Sequence, residues 1–240
     1  MKKIFSLFII VPFVVFSQSE WIEVDSKDFM NTIREFEQTI QLDESYSMET
    51  TYDIFKNYSD ILPVQSVHGK LTCRNGKELN VSQMGFFMIQ DEKYNLTIDT
   101  LNQQIIVQKP DSSLFYRKTI NDVAAFSEIT EAVYKKEVLG KTLYSLELKS
   151  GYPYHAIEFE FLSKEIISQI IIYSNQPYRV EDYTQESDKA RIVINFKNLK
   201  KGIRVSLKDF VETADLIVVK AKEFHAIGKY KDYEVIDLRN

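Results

Sequence analysis

The chain is expected to fold as an α+β protein dominated by antiparallel β-structure. The form expected is a strongly curved open sheet (a half-barrel) of about eleven strands, with two or three helices plugging its concave face. Three observations predict this. After Asp43-Glu44 the hydrophobic period changes from helical to two. Asn75-Gly76 sits between two extended runs, and Asn-Gly suits the type I′ turn of a tight hairpin because both positions take positive φ. Half-polar strand patterns then recur to the end of the chain. So many consecutive antiparallel strands cannot lie flat, because twist accumulates from strand to strand.

The elements follow in order. Lys2 and Lys3 precede an apolar run from Ile4 to Phe16, broken by Ser6 and Pro12. At 1.5 Å per residue that run makes a helix of roughly 20 Å, short of the ~30 Å hydrocarbon core. A positive start, a short apolar stretch and then Ser17-Gln18-Ser19 read as a secretory signal over residues 1–17, leaving one half-barrel domain over 18–240. No cysteine follows the apolar run, so a lipid-attachment motif is absent and the processed chain is not expected to be integral to a membrane.

From Asp25 the pattern is helical: Phe29, Ile33, Phe36 and Ile40 make one apolar stripe, with Asp25 or Ser26 as cap. Over 46–56, Tyr46, Met48, Thr50, Tyr52 and Ile54 then alternate with polar residues, which is a strand with one dry side. Further strands are expected near 64–73, 78–82, 86–89, 94–98 and 104–108, as a continuous antiparallel meander. Lys109-Pro110-Asp111 breaks it. A second helix is expected from Asn121 to about Val133, with Val123, Phe126, Ile129 and Val133 on one side. Strands resume near 142–149, 155–161, 166–173 and 190–197. Ser206–Asp215 has room for a helical turn, and 216–222 and 232–238 close the chain as strands.

Composition narrows the function classes. Of 240 residues, 44% are hydrophobic and 27% charged, which suits a globular core and not a disordered or polytopic membrane chain. One cysteine rules out a disulfide framework and a cysteine-based zinc site. Seven glycines leave no glycine-rich phosphate loop. Removal of residues 1–17 takes away two lysines and no acid, moving the net charge from −5 to −7. An acidic exported protein lacks the positive face that nucleic-acid binding needs. The surplus is aromatic, with 16 Phe and 14 Tyr, residues that line cavities and interfaces as readily as they build sheets.

Gly69-Lys-Leu, Met84-Gly85-Phe, Tyr94-Asn-Leu-Thr-Ile-Asp99 and the ending Tyr230-Lys-Asp-Tyr233-Glu-Val-Ile, in this order behind a signal and an amphipathic helix, resemble the periplasmic lipoprotein carriers of the LolA/LolB type. The N-terminus, ending Phe-Ser-Gln, is similar to signal peptides of exported Bacteroidetes proteins. The resemblance spans about residues 22–238 and carries over no functional residue. It implies a half-barrel with an apolar cavity suited to acyl chains, working in the periplasm.

Catalytic signals are weak. His68, His155 and His225 have no partners at ligand spacing, and no nucleophile elbow, zinc-protease or phosphate-loop motif is present. Glu158 and Glu160 share a strand face, which the solvated side of a sheet explains more cheaply than acid–base chemistry. The basic run Lys197, Lys200, Lys201, Arg204 and Lys208 suits an edge that resists pairing better than a partner site. The reading is therefore a non-enzymatic periplasmic protein that binds a lipid or lipoprotein acyl chain and needs no cofactor or metal. Phe29, Ile33, Phe36, Ile40 and Phe126 would face the ligand from the plug, and Tyr52, Ile54, Leu96 and Ile98 from the sheet. The alternative is a ligand-free interaction subunit that docks another envelope protein.

Overall fold

The computed structural model describes residues 20–39, 45–83, 86–111, 128–163, 166–178, 189–202, 205–208 and 210–239. Residues 1–17, read above as a secretory signal, therefore lie outside the described residues. A two-residue strand, β1 (Ile22–Glu23), precedes α1 (Ser26–Thr39). The meander follows as β2 (Tyr46–Phe55), β3 (Gln65–Arg74), β4 (Glu78–Gln83), β5 (Phe86–Gln90), β6 (Asn95–Asp99) and β7 (Gln104–Gln108). The second run is β8 (Thr130–Val138), β9 (Lys141–Leu148), β10 (Tyr154–Ser163), β11 (Ile166–Ser174) and β12 (Arg191–Lys201). A hairpin of β13 (Ile217–Lys220) and β14 (Glu223–Ala226) and a last strand, β15 (Glu234–Asp237), complete the chain.

Thirteen strands form one sheet in the order β1-β8-β9-β10-β11-β12-β2-β3-β4-β5-β6-β7-β15, with β13 and β14 forming a separate pair. The sheet is open, its two edges being β1 and β15. Tight turns set much of the register. Leu139 and Gly140, between the paired Val138 and Lys141, take φ of 51° and 78°, the positive pair that a two-residue hairpin turn requires; Asn75 and Gly76 take 53° and 64° in the three-residue loop between the paired Arg74 and Glu78. At the β6–β7 turn, the Asp99 carboxylate accepts from the backbone N–H of Leu101 at 2.9 Å and of Asn102 at 3.0 Å.

Three expectations are corrected. Residues 121–127 of the second expected helix lie outside the described residues; residues 128 and 129 are helical, and from Thr130 the chain is strand where helix was expected to Val133. The cause is long-range: β8 ladders with β9 from Thr130↔Leu148 to Val138↔Lys141, and that pairing outweighs a helical spacing with no strong propensity behind it. Among the described residues there is one α-helix, not two or three; the turn expected within Ser206–Asp215 is a single 3-10 turn, Thr213–Asp215. The last strand, read as part of an antiparallel run, pairs with β7 in parallel. The 125 residues between Gln108 and Glu234 supply the long crossover that a parallel pair needs.

The apolar cores lie on opposite faces of this sheet. Directly opposed residues of neighbouring strands point to the same side, so faces can be traced through the ladder. Tyr144, Phe159, Ile170, Ile194, Tyr52 and Val67 pair in succession across β9, β10, β11, β12, β2 and β3, and define the first face. Ser47, Thr72, Asn80, Ile89, Leu96 and Val107 pair in succession from β2 to β7, and define the second. Helix α1 covers the first face over β8–β10, with Phe29, Met30, Val133, Tyr144, Leu146 and Phe161 buried together. The chain from Val211 to Val235 covers the second face over β5–β7, where Leu216, Ile217 and Tyr230 pack on Ile89, Leu96, Ile98, Ile105 and Val107. The plug expected on a single concave face is thus two separate covers, one of them not helical.

Candidate functional site

The two covers leave the first face of the central strands to build a cleft. Its lining begins with α1. Asp25 starts the helix by accepting from the Lys27 N–H at 2.8 Å. Phe29 is 2% exposed and meets the rings of Tyr144 and Phe159 with centroids 5.3 and 5.0 Å apart. The Tyr144 hydroxyl donates to Asp28 Oδ2 at 2.8 Å and lies 2.9 Å from Thr32 Oγ1, and Lys135 Nζ stands 3.4 Å from the same carboxylate. Burial raises the Tyr144 pKa, Thr32 opposes that shift and Asp28 adds to it, so the phenol holds its proton and serves as the donor. These bonds hold the first half of α1 on β8 and β9. Two turns further on, Phe36 meets Phe161 edge to face at 6.4 Å and reaches past it.

Beyond Phe36 is a cleft of about 630 Å³. Met48, Ile167, Ile170, Phe196 and Leu199 line it with Phe36, and Leu162 and Ile166 lie at its β10–β11 end. The volume falls within the ~300–1,000 Å³ of small-molecule sites. Its polar contributions come from Lys197 and Asn198. Asn198 is already engaged, donating its amide to Glu49 Oε2 at 2.7 Å.

Leu199 is there because of a β-bulge. Lys197 pairs with Glu49 and Lys200 with Ser47, so Asn198 and Leu199 together face Met48. Asn198 takes φ of 56°, the left-handed conformation that Asn tolerates better than most residues. The extra residue re-aims the chain, so that Phe196 and Leu199 both reach the cleft although they are three apart. Strict alternation would have put them on opposite faces.

The expected site residues are distributed as follows. Phe36 lines the cleft. Phe29 and Ile33 belong to the core that anchors the helix beside it. Tyr52 and Ile54 lie on the first face, farther along β2 from Met48, opposite Ile194 and Ile192. Leu96 and Ile98, 0% and 1% exposed, are on the second face in the other core, so the structure does not bring them to the cleft. Ile40 and Phe126 lie outside the described residues. Ile167, Ile170 and Phe196 are not singled out by the sequence reading; alternation in the expected strands 166–173 and 190–197 could have signalled Ile170 and Phe196, whereas Ile167 and Leu199 reach the cleft through irregularities in the ladder.

The first face carries apolar rows, while the second face of the same strands is mixed, with Glu158 and Glu160 beside Leu143, Ile171 and Val193. Glu160 accepts from Lys141 Nζ at 2.9 Å and from the Ser168 hydroxyl at 2.6 Å; burial alone would raise its pKa, but these two partners hold it lowered. Glu158 is raised, chiefly by burial, against the opposing effects of Tyr173 and Arg191. Among the described residues, no three His, Cys, Asp or Glu side chains assemble as a metal set, and no helix is long and apolar enough to cross a membrane.

No family model matches the chain, and no curated protein does. Solved structures give distant likenesses. An uncharacterised conserved protein from Thermus thermophilus aligns over 88% of this chain and 99% of its own, at 9% identity and a TM-score of 0.43. A LolA superfamily protein from Nitrosomonas europaea aligns over 77% and 97%, at 8% identity and a TM-score of 0.32. A DUF1329 family protein from Desulfovibrio piger aligns over 78% and 98%, at 12% identity and a TM-score of 0.33. All three TM-scores are below 0.5.

Proposed function

We propose that the protein, exported and processed to residues 18–240, binds the apolar part of a lipid or of a lipoprotein acyl chain in the cleft between α1 and strands β2, β10, β11 and β12. The observation that carries this reading is the cleft itself: about 630 Å³, walled by Phe36, Met48, Ile167, Ile170, Phe196 and Leu199. Its affinity would come from apolar burial at ~25 cal/mol per Å², with little hydrogen-bonded selection of a headgroup. The helix is bolted to the sheet at Asp28 and Phe29, one end of its length, while Phe36 at the other end forms the wall. Rotation about that anchored end would widen the cleft without disturbing the core beneath Phe29. The lining offers no acid–base pair or nucleophile, which favours binding over catalysis.

The test is native mass spectrometry of the protein purified from a periplasm without detergent. A reproducible added mass, extractable into organic solvent, is expected. A clean apo mass that persists after incubation with envelope lipids would sink the reading.

A further inference from the structure

The second face carries a cavity of its own. It lies between strands β3–β5 and the C-terminal cover and measures about 220 Å³, below the ~300–1,000 Å³ of drug-sized ligand sites. Phe87, Ile89 and Ile98 form its apolar floor, and Thr72 and Ser82 stand beside them. By the ladder, Thr72 and Ile89 share the second face, as do Ser82 and Phe87. Lys70 and Lys229 line the same cavity from opposite sides, one on β3 and the other on the cover.

Three observations make this more than a packing gap. The roof is fixed. The Asn80 side chain donates to Val211 O and accepts from Val211 N–H, both at 2.9 Å, and the Arg74 guanidinium lies 4.4 Å from the centre of the Phe210 ring. Thr72 is 7% exposed and lines the cavity, and its hydroxyl makes no hydrogen bond to the described residues. Finally, neither lysine is neutralised. Lys70 stands opposite Glu49 in the ladder, but that carboxylate accepts from Asn198, and neither Lys70 nor Lys229 makes an ion pair among the described residues. The Lys229 ammonium instead lies 4.8 Å from the centre of the Tyr230 ring, at the edge of the cavity.

We propose that this cavity is a second binding site, for a small monocarboxylate with a short apolar body. The carboxylate would accept from Lys70, Lys229 and the Thr72 hydroxyl, and the chain or ring would lie on Phe87, Ile89 and Ile98. The volume limits the body to a short chain or a single ring. The site is independent of the cleft behind α1, since the two open on opposite faces of the sheet.

Titration calorimetry of the processed chain with octanoate, octanol and inorganic phosphate tests this. In the Leu199→Glu chain, whose first-face cleft is closed to acyl chains, octanoate is expected to bind at one site, octanol at least tenfold more weakly, and phosphate without saturation over the same range. In that chain the exposed pair Lys70→Gln/Lys229→Gln should weaken octanoate at least tenfold, and Thr72→Val severalfold, without loss of fold. Leu199→Glu, which alters only the first-face cleft, should leave octanoate affinity at this second site unchanged. Equal affinity for octanol, an unaltered affinity in the double lysine variant, full competition by phosphate, or loss of binding in Leu199→Glu would each overturn the assignment.

Discussion

The Tyr144 hydroxyl on β9 donates to Asp28 Oδ2 in the first turn of α1 at 2.8 Å, joining residues 116 apart in the chain. The bond does two things. It satisfies a phenol whose residue is 1% exposed, and it fixes which end of the helix is held to the sheet. Tyr144→Phe keeps the ring contacts with Phe29 and Phe161 and removes that bond together with the hydroxyl's contact to Thr32 Oγ1. Because the Asp28 side chain is 45% exposed, solvent screens part of the gain. A loss of about 1 kcal/mol is expected, read from the urea midpoint at an unchanged slope.

The bulge at Asn198 predicts a contrast between two substitutions. Glycine accepts φ of 56° freely, whereas a β-branched residue there costs about 1–2 kcal/mol. Asn198→Gly should keep both stability and ligand. Asn198→Val should lower the thermal midpoint and, by shifting Leu199 off the cleft, weaken lipid retention in native mass spectra. Equal behaviour of the two variants would contradict the role assigned to the bulge.

Phe36 and Leu96 should separate binding from folding. Leu96 is 0% exposed in the core beneath the C-terminal cover, so Leu96→Ala is expected to cost about 2–5 kcal/mol. Phe36 is half-buried at the cleft wall, and Phe36→Ser should leave a cooperative unfolding transition in place while removing the retained mass. Chemical denaturation and native mass spectrometry on both variants check this.

Glu158 and Glu160 predict opposite pH responses from one strand. Burial raises Glu158 above its ordinary value, so its contribution is full in acid and is lost as the pH rises through the folded-state value. Glu158→Gln should therefore gain stability over the parent chain as the pH climbs past the ordinary glutamate range. Glu160 is lowered by Ser168 and Lys141, so its contribution is present above the ordinary range and is lost as the pH falls through the folded-state value. Glu160→Gln should cost stability at neutral pH and little in strong acid. Urea midpoints at pH 2.5, 4 and 7.5 read both differences.

Much of the fold was legible in the sequence, and the part that was not has a common cause. Period-two alternation places Met48, Thr50, Tyr52 and Ile54 on one side of β2, and the Asn75-Gly76 turn sets β3 against β4, because both are local properties of backbone geometry. The stripe Phe29, Ile33, Phe36 likewise marks the packed side of α1.

Alternation reports only which side of a strand is dry. It does not say whether the dry side of β6 and the dry side of β2 are the same side of the sheet. That relation passes through the register of β3, β4 and β5, and a slip of one residue reverses it. Leu96 and Ile98 thus alternate as clearly as Tyr52 and Ile54, yet the ladder turns them to the opposite face. The placement of β12 beside β2, the bulge that turns Leu199 into the cleft and the crossover that covers the second face are long-range decisions of the same kind. The sequence by itself determined most of the strands, their dry sides and the amphipathic helix; only the tertiary pairing decided that Thr130–Val138 is a strand and which dry sides meet.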